Sequence, residues 1–207
     1  MSRGRVLITG AAGLVGSRLV SRCLREGFAV RALDLQPVHV AGVEGIVGDV
    51  TDVDTVRRAA AGAELIAHCA AVIAGAPEVE MTRVNVEGTR VLLDAAAHAG
   101  SHRVLYVSSA VVYAFADRDI VDESTPFRKD GPAFHMGRVR AEGLVWAASA
   151  RGLPITVFRP YSTWARTGRR RGRHYLRNGS RGASSSCVVM ARRPSRTRTS
   201  IASPKRS

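Results

Sequence analysis

Three glycines separate an apolar run from an amphipathic run near the start of the chain. Residues 5–9 are apolar and β-branched, which predicts a buried strand, and apolar residues recur at helical spacing over residues 14–25. Gly10, Gly13 and Gly16 occupy the turn between the two runs. Glycines at this spacing permit a tight turn, a close approach of ligand to backbone, and close packing of helix on strand. The turn therefore predicts a dinucleotide site rather than a glycine-rich turn without a ligand.

The residues around this turn indicate which dinucleotide it holds. Leu14 and Val15 open the predicted helix, whose free N–H groups and partial positive charge favour a pyrophosphate. Asp34 closes the next predicted strand, where a carboxylate can accept both ribose hydroxyls and would repel a 2′-phosphate. This favours NAD over NADP. Arg31 lies three residues before Asp34 and leaves NADP open as the alternative.

Strand-like and helix-like runs alternate along the first 160 residues. Alternation of this kind predicts parallel β-α-β units with right-handed crossovers. We therefore expect an α/β fold with a Rossmann-type doubly wound parallel sheet, which binds ligands at the carboxyl ends of its strands. The runs indicate strands at 5–9, 29–33, 45–49, 63–71, 103–108 and 155–159, and helices at 14–25, 52–60, 79–99 and 133–150.

Charge divides the chain into two unequal parts. Residues 1–160 carry 18 Lys and Arg against 17 Asp and Glu, whereas residues 161–207 carry 13 Lys and Arg and no acid. High net charge with low hydrophobicity predicts disorder. We therefore predict a Rossmann domain over residues 1–164 and a disordered Arg/Ser-rich tail over residues 165–207. Such a tail would bind polyanions non-specifically, nucleic acid included.

The glycine turn is followed by several short motifs at intervals along the chain. Together the motifs are Gly10-Ala-Ala-Gly13-Leu-Val-Gly16, Gly48-Asp49-Val50, His68-Cys69-Ala70-Ala71, Asn85-Val86-Glu87-Gly88-Thr89, Tyr106-Val107-Ser108-Ser109-Ala110-Val111-Val112-Tyr113 and Phe158-Arg159-Pro160. With these motifs the chain resembles the extended short-chain dehydrogenase/reductase family, the NAD-dependent sugar-nucleotide epimerases and dehydratases. The resemblance covers about residues 4–164.

The resemblance implies a cofactor, a substrate class and site residues. It implies NAD as cofactor and a nucleotide sugar or a related small molecule as substrate, and it allows a homodimer. It places the catalytic Ser/Thr at Ser109. The cofactor-binding residues that it implies are Gly10, Gly13, Leu14, Val15, Gly16, Asp34, Asp49, Val50, Ala70, Ala71, Asn85, Ser108 and Arg138.

The chain departs from this family at its catalytic pair. The family uses a Tyr and a Lys four residues later on one helix, where both side chains share a face. Glu142, taken as the acid that follows the Lys by four residues, places Phe134 at the Tyr position and Arg138 at the Lys position. Phe has no proton to exchange, although Arg can still donate hydrogen bonds to ribose hydroxyls. We therefore expect cofactor binding with impaired catalysis.

Two other side chains are weighed as substitute acid–base groups. His135 lies one residue from the Tyr position, about 100° around the helix. Tyr113 follows Ser109 by four residues and is otherwise a packed loop tyrosine. We expect neither to replace the missing Tyr.

Family-like sequence stops near residue 164, before the substrate domain that the resemblance implies. We interpret the abrupt change in composition there as a truncation or a shifted reading frame. Three functions stay open: an impaired epimerase/dehydratase-type enzyme, a non-catalytic NAD-binding sensor or partner, and a nucleic-acid binder acting through the tail.

The sequence offers no other chemistry. Its three cysteines are isolated, and His98 and His102 straddle Gly100 at a predicted helix end, so we expect surface histidines and no metal site. No run reaches the length of a membrane span. With no secretory signal and an odd number of cysteines, we expect a cytoplasmic protein.

Overall fold

The described residues form a seven-stranded sheet with helices on both faces. The computed structural model describes residues 3–73, 75–114, 121–161, 163 and 188–191. The strands are β1 (Arg5–Thr9), β2 (Ala29–Asp34), β3 (Val43–Val47), β4 (Leu65–His68), β5 (Arg103–Val107), β6 (Ile155–Pro160) and β7 (Val188–Ala191). Their order is β3-β2-β1-β4-β5-β6-β7, with β1 to β6 parallel and β7 antiparallel to β6. The predicted Rossmann-type fold is confirmed.

Helices cover both faces of the sheet. They are α1 (Gly16–Arg25), α2 (Val53–Ala60), α3 (Glu78–Thr82), α4 (Gly88–His98) and α5 (Ala133–Ala150), with a π-helical turn at Arg83–Glu87 and a 3-10 turn at Ala110–Val112. Residues alternate along each strand between two cores. On β1, Leu7 packs in the larger core with α2, α4 and α5, whereas Val6 and Ile8 pack in the smaller core with α1.

Element bounds differ from the prediction where loops meet the sheet. β4 is shorter than the predicted 63–71, because the chain leaves the sheet after His68 to form the loop that packs on the glycine turn. The predicted helix over 79–99 is divided, because the π-helical turn separates α3 from α4. α5 has the predicted bounds. Asp52, the first residue of the predicted 52–60 helix, is the N-cap of α2, and its carboxylate accepts from the Thr55 N–H at 2.7 Å.

β7 corrects part of the predicted tail. Residues 188–191 pair with residues 157–160 of β6, so these four residues form a strand rather than part of a uniformly disordered segment. They belong to the apolar stretch of the basic segment, and β6 offers it an open row of backbone donors and acceptors. The rest of the predicted tail lies outside the described residues.

A buried ion pair ties α5 to β6. The Arg159 guanidinium donates to both Glu142 carboxylate oxygens at 2.6–3.1 Å, and neither side chain is more than 2% exposed. Ser108 Oγ donates to the same carboxylate, and Arg159 Nη1 donates to the Tyr113 hydroxyl at 2.6 Å. Every strong charge in this cluster has a partner, as burial in a low-dielectric interior requires.

In the described part of the chain, no helix has the length and apolarity that a membrane crossing requires.

Removing one partner of this pair is expected to destabilise the fold strongly. Arg159→Met leaves the Glu142 carboxylate buried without a counter-charge, so the free energy of unfolding should fall by about 3–5 kcal/mol. Urea denaturation measures the loss. Arg90→Met, which breaks an exposed pair with Glu87, is the control and should cost less than about 1 kcal/mol. Equal losses in the two variants would contradict the structural role given to Glu142 and Arg159.

Candidate functional site

The glycine turn is held against the loop that follows β4. Gly10 has φ +65°, and a Cβ atom there would lie 2.6 Å from the Ala70 nitrogen and 2.7 Å from the Cys69 carbonyl carbon. A Cβ on Gly16 would overlap the Gly10 carbonyl oxygen. Two backbone segments therefore meet where only glycine fits. Among the described residues, no side chain caps the N-terminus of α1 after Val15, which leaves that helix end available to an anion.

Asp34 is fixed over this turn. Its Oδ2 accepts from the Ala12 N–H and its Oδ1 accepts from the Gln36 N–H, both at 2.9 Å. The carboxylate therefore stands at the carboxyl end of β2 beside the turn, as the sequence predicts. Each oxygen retains a further lone pair for a ligand hydroxyl.

Arg31 is committed elsewhere. Its Nη1 donates to the carbonyl oxygens of Ala59 and Ala61 at 2.8 Å, and its Nε lies 2.9 Å from a Glu44 carboxylate oxygen. The guanidinium thus caps the C-terminal end of α2. The cation that left NADP open as an alternative is buried and occupied.

Asp49 and Val50 form the next turn, after β3. Asp49 Oδ1 accepts from the Thr51 N–H and hydroxyl at 2.9 Å, and Oδ2 accepts from Arg83 Nη1 at 2.8 Å. Partial burial acts to raise the pKa of Asp49, but these hydrogen bonds outweigh it and hold the pKa below its ordinary value. Val50 is buried, and a Cβ atom on Gly88 would lie only 2.7 Å from Val50 Cγ2. Arg83 thereby links this turn to the π-helical turn.

A buried chain of hydrogen bonds supports the loop after β4. The Ala70 N–H donates to Thr9 Oγ1 at 3.4 Å, and Thr9 Oγ1 lies 2.7 Å from His68 Nδ1. On the other side of the ring, His68 Nε2 lies 3.3 Å from Thr89 Oγ1, which donates to the Asn85 carbonyl at 2.7 Å. These donors and acceptors are all satisfied when the proton of neutral His68 is on Nε2.

Asn85 completes this support. Its Oδ1 accepts from the Val72 N–H at 2.8 Å and its Nδ2 donates to the Val72 carbonyl at 2.9 Å. The π-helical turn that contains Asn85 therefore fixes the loop that contains Ala70 and Ala71. A direct contact of the Asn85 side chain with a cofactor stays a prediction, since the amide is already bonded to backbone.

The two serines after β5 differ in their environments. Ser108 is buried and its hydroxyl donates to Glu142, so its predicted contact with a cofactor also stays a prediction. Ser109 is half-buried, and its Oγ accepts from the Val111 N–H only at 3.4 Å. The Ser109 hydroxyl, placed at the carboxyl end of β5, is the more available of the two.

Phe134 and Arg138 lie one turn apart on the buried face of α5. Phe134 is 8% exposed, Arg138 is 6% exposed, and the guanidinium carbon lies 5.5 Å from the ring centroid. Arg138 Nη1 donates to the Val107 carbonyl at 3.4 Å, and its Nε has no hydrogen-bond partner among the described residues. The structure thus brings Phe134 and Arg138 to the end of β5. Arg138 puts a cation at the position that the resemblance assigns to the family's Lys.

The side chains weighed as substitute bases are occupied. The Tyr113 hydroxyl accepts from Arg159, and burial raises its pKa despite that cation. His135 Nδ1 contacts Arg128 Nη1, and burial followed by the Arg128 charge lowers the His135 pKa. His98 and His102 are exposed, and no group of three metal-binding side chains exists among the described residues.

The structure shows three supporting groups that the sequence motifs did not assign. These are the His68 network, the Arg83 bridge and the Glu142–Arg159 pair. The spacing within the motif His68-Cys69-Ala70-Ala71 does not reveal that Thr9 and Thr89 approach the His68 ring from other elements. Long-range partners of this kind leave no local signal.

Comparison with known proteins agrees with this geometry. Residues 6–190 match the family model described as the NAD dependent epimerase/dehydratase family. A 3-beta-hydroxysteroid dehydrogenase of Mycolicibacterium neoaurum is 35% identical over 79% of this chain and 48% of its own length. A 4-hydroxy-2-methyl-3-oxo-4-farnesyl-3,4-dihydroquinoline-1-oxide ketoreductase of Stigmatella aurantiaca is 34% identical over 77% of this chain and 50% of its own length. The chain spans about half the length of the curated relatives it matches.

Solved structures resemble the same region. A short-chain dehydrogenase/reductase superfamily protein from Agrobacterium tumefaciens, solved with bound NAD, has a TM-score of 0.68 and 32% identity over 74% of this chain and 48% of that one. MoeE5, solved with UDP-glucose and NAD, has a TM-score of 0.67 and 32% identity over 74% of this chain and 52% of that one.

The buried His68 network predicts a pH-dependent stability. Burial, and then the Arg138 charge, lowers the pKa of His68 to about 3, whereas an unfolded histidine titrates near 6.5. Between these values only the unfolded chain binds the proton, so the free energy of unfolding should decrease as pH falls, by up to about 1.4 kcal/mol per unit.

Urea denaturation between about pH 7 and about pH 5 tests this. His68→Asn should flatten the dependence, and His102→Asn, which removes an exposed histidine, should leave it unchanged. An unaltered slope in His68→Asn would show that His68 does not carry the effect.

Proposed function

Because the chain belongs to the NAD dependent epimerase/dehydratase family, we propose that it binds NAD along the carboxyl ends of β1, β2, β4 and β5. The observation that carries this proposal is the Asp34 carboxylate, which accepts a hydrogen bond from the Ala12 N–H of the glycine turn. Each of its oxygens retains a lone pair that a ribose hydroxyl can use. Both structural neighbours named above were solved with NAD bound.

The residues present fit this cofactor. The turn from Gly10 to Gly16 accepts no Cβ at its closest contacts, and the uncapped end of α1 suits a pyrophosphate. Asp34 would bind the adenosine ribose. Arg138, whose Nε has no partner in the described part of the chain, would donate to the nicotinamide ribose. Bound there, NAD supplies an acceptor for hydride.

Catalysis at this site is impaired in our proposal. Phe134 occupies the position where the family has its Tyr, so no proton can be exchanged there, and the loss of a positioned acid–base group typically costs about 10²–10⁴-fold in rate. Ser109 could still orient a substrate hydroxyl or carbonyl. Neither Tyr113 nor His135 is placed to substitute, because each is bonded to an arginine.

The substrate belongs to one of two related chemical classes. MoeE5 was solved with UDP-glucose, which supports a nucleotide sugar, whereas the two curated relatives are a hydroxysteroid dehydrogenase and a ketoreductase. A nucleotide sugar and a hydroxysteroid both carry secondary alcohols, which are the groups that oxidation converts to ketones. We therefore propose a nucleotide sugar or a related secondary alcohol as the substrate class.

A second candidate function is NAD binding without turnover, as a sensor or as the partner of an active enzyme. The buried Phe134 favours it, because a phenyl ring keeps the packing of the site while it removes the proton. Binding of nucleic acid through residues 165–207, homodimer formation and a cytoplasmic location remain proposals from the sequence.

Calorimetric titration with NAD and NADP tests the cofactor proposal. We expect NAD to bind and NADP to bind at least about tenfold more weakly, since Asp34 repels a 2′-phosphate. Asp34→Asn should weaken NAD binding about tenfold and narrow the difference between the NAD and NADP affinities. The substitution removes the negative charge of residue 34 and keeps one acceptor oxygen. Asp54→Asn removes an exposed carboxylate of α2 and should change neither affinity. Failure of a folded protein to bind either nucleotide would refute the proposed function.

Restoring the family pair tests the proposed impairment. Phe134→Tyr with Arg138→Lys should raise the rate of NAD reduction about 10²-fold or more with UDP-glucose or a 3β-hydroxysteroid as probe substrate. NADH fluorescence measures that rate. The control is Phe134→Leu with Arg138→Lys, which should stay at the parent rate. An equally fast parent protein would show that residue 134 does not limit catalysis.

A further inference from the structure

Arg138 carries a buried charge that forms no ion pair with an acid among the described residues. The side chain is 6% exposed, its Nε has no partner among the described residues, and its Nη1 donates to the Val107 carbonyl at 3.4 Å. Glu142 lies one turn away on α5, but its carboxylate is already bonded to Arg159, Ser108 and Trp146. The guanidinium of an arginine side chain is a permanent cation in proteins.

The groups around Arg138 leave the pocket with a net positive charge. His68 is buried and neutral, and Tyr106, which packs against His68, contributes only a hydroxyl. The Glu142 and Arg159 charges cancel each other. One uncompensated positive charge therefore remains in a region where water does not screen it.

The fold places this charge on one half of the dinucleotide track. Asp34 ends β2 and Asp49 follows β3, on one side of the glycine turn after β1. Arg138 contacts the end of β5, two strands away from β1 on the other side. An adenosine half bound at Asp34 leaves the nicotinamide half toward β4 and β5. The oxidised nicotinamide ring carries a positive charge and the reduced ring carries none.

We propose that this protein binds NADH in preference to NAD⁺, and that the unpaired Arg138 guanidinium sets this preference. The inference rests on the proposed cofactor site and adds to it the redox form that the site selects. The two forms share the adenosine, pyrophosphate and ribose groups, so a difference in affinity reports the ring charge. A chain that selects the reduced form and lacks the Tyr proton is suited to respond to the NADH level.

Parallel titrations of the full chain with NADH, followed by fluorescence, and with NAD⁺, followed by calorimetry, measure the ratio of the two dissociation constants. The parent protein should bind NADH on the order of tenfold more tightly, as expected for one like-charge contact at moderate effective dielectric constant. Arg138→Lys keeps the charge and should keep the preference. Arg138→Gln removes the charge, so its preference for NADH over NAD⁺ should be about tenfold smaller than that of the parent, at the value set by the remaining contacts.

Arg140→Gln is the matched control. Arg140 is exposed and lies two residues along α5, so its removal changes the net charge of the protein equally but leaves the pocket charge intact. The ratio of the NADH and NAD⁺ dissociation constants in Arg140→Gln should equal that of the parent protein. This control separates the local effect of Arg138 from a general effect of net charge on nucleotide binding.

The outcomes distinguish the inference from the proposed function. Equal affinities of the parent protein for the two forms, or the same ratio in Arg138→Gln as in the parent, would overturn the inference while NAD binding stands. Absence of binding to both forms in a folded protein would overturn the proposed function and the inference with it. If Arg138→Gln does not fold, Arg138→Met supplies the neutral variant and the same ratio decides.

Discussion

The contact between two loops, the glycine turn after β1 and the loop after β4, is the constraint on which the candidate site depends. Gly10 approaches the backbone at Cys69 and Ala70 so closely that a methyl group has no room. Thr9, His68 and Thr89 hold the second loop in that position from within the sheet and from α4. The groove in which a dinucleotide would lie is thus a consequence of packing that begins in the buried core.

A second buried cluster plays the same part for the other half of the site. The Glu142–Arg159 pair joins α5 to β6, and Ser108 and Tyr113 attach the segment after β5 to it. Ser109 and Arg138 project from this framework. Because Glu142 is fully committed to Arg159, Arg138 keeps no acidic partner among the described residues, and the electrostatic character of the pocket follows from the structural pair beside it.

Local sequence pattern predicted the parallel sheet, the bounds of α5 and the position of Asp34 beside the glycine turn, because each depends on periodicity or on residues close in the chain. It did not predict the π-helical turn at Arg83–Glu87, which depends on where the Asn85 amide finds the Val72 backbone. It also missed β7, since four apolar residues within a basic segment become a strand only when the β6 edge is present. The direction of the Arg31 side chain depended likewise on carbonyls contributed by α2.

Arg31 has a consequence for the redesign of cofactor specificity. Its guanidinium caps the C-terminal end of α2, so it cannot bind a 2′-phosphate without exposing the carbonyl oxygens of Ala59 and Ala61. A chain of this fold that acquired affinity for a phosphorylated ribose would need a new cation after β2, near Leu35 or Gln36, together with the loss of the Asp34 charge. A change of cofactor specificity between NAD and NADP therefore requires substitutions at the end of β2 and in the loop after it, and it leaves the interior of the sheet unchanged.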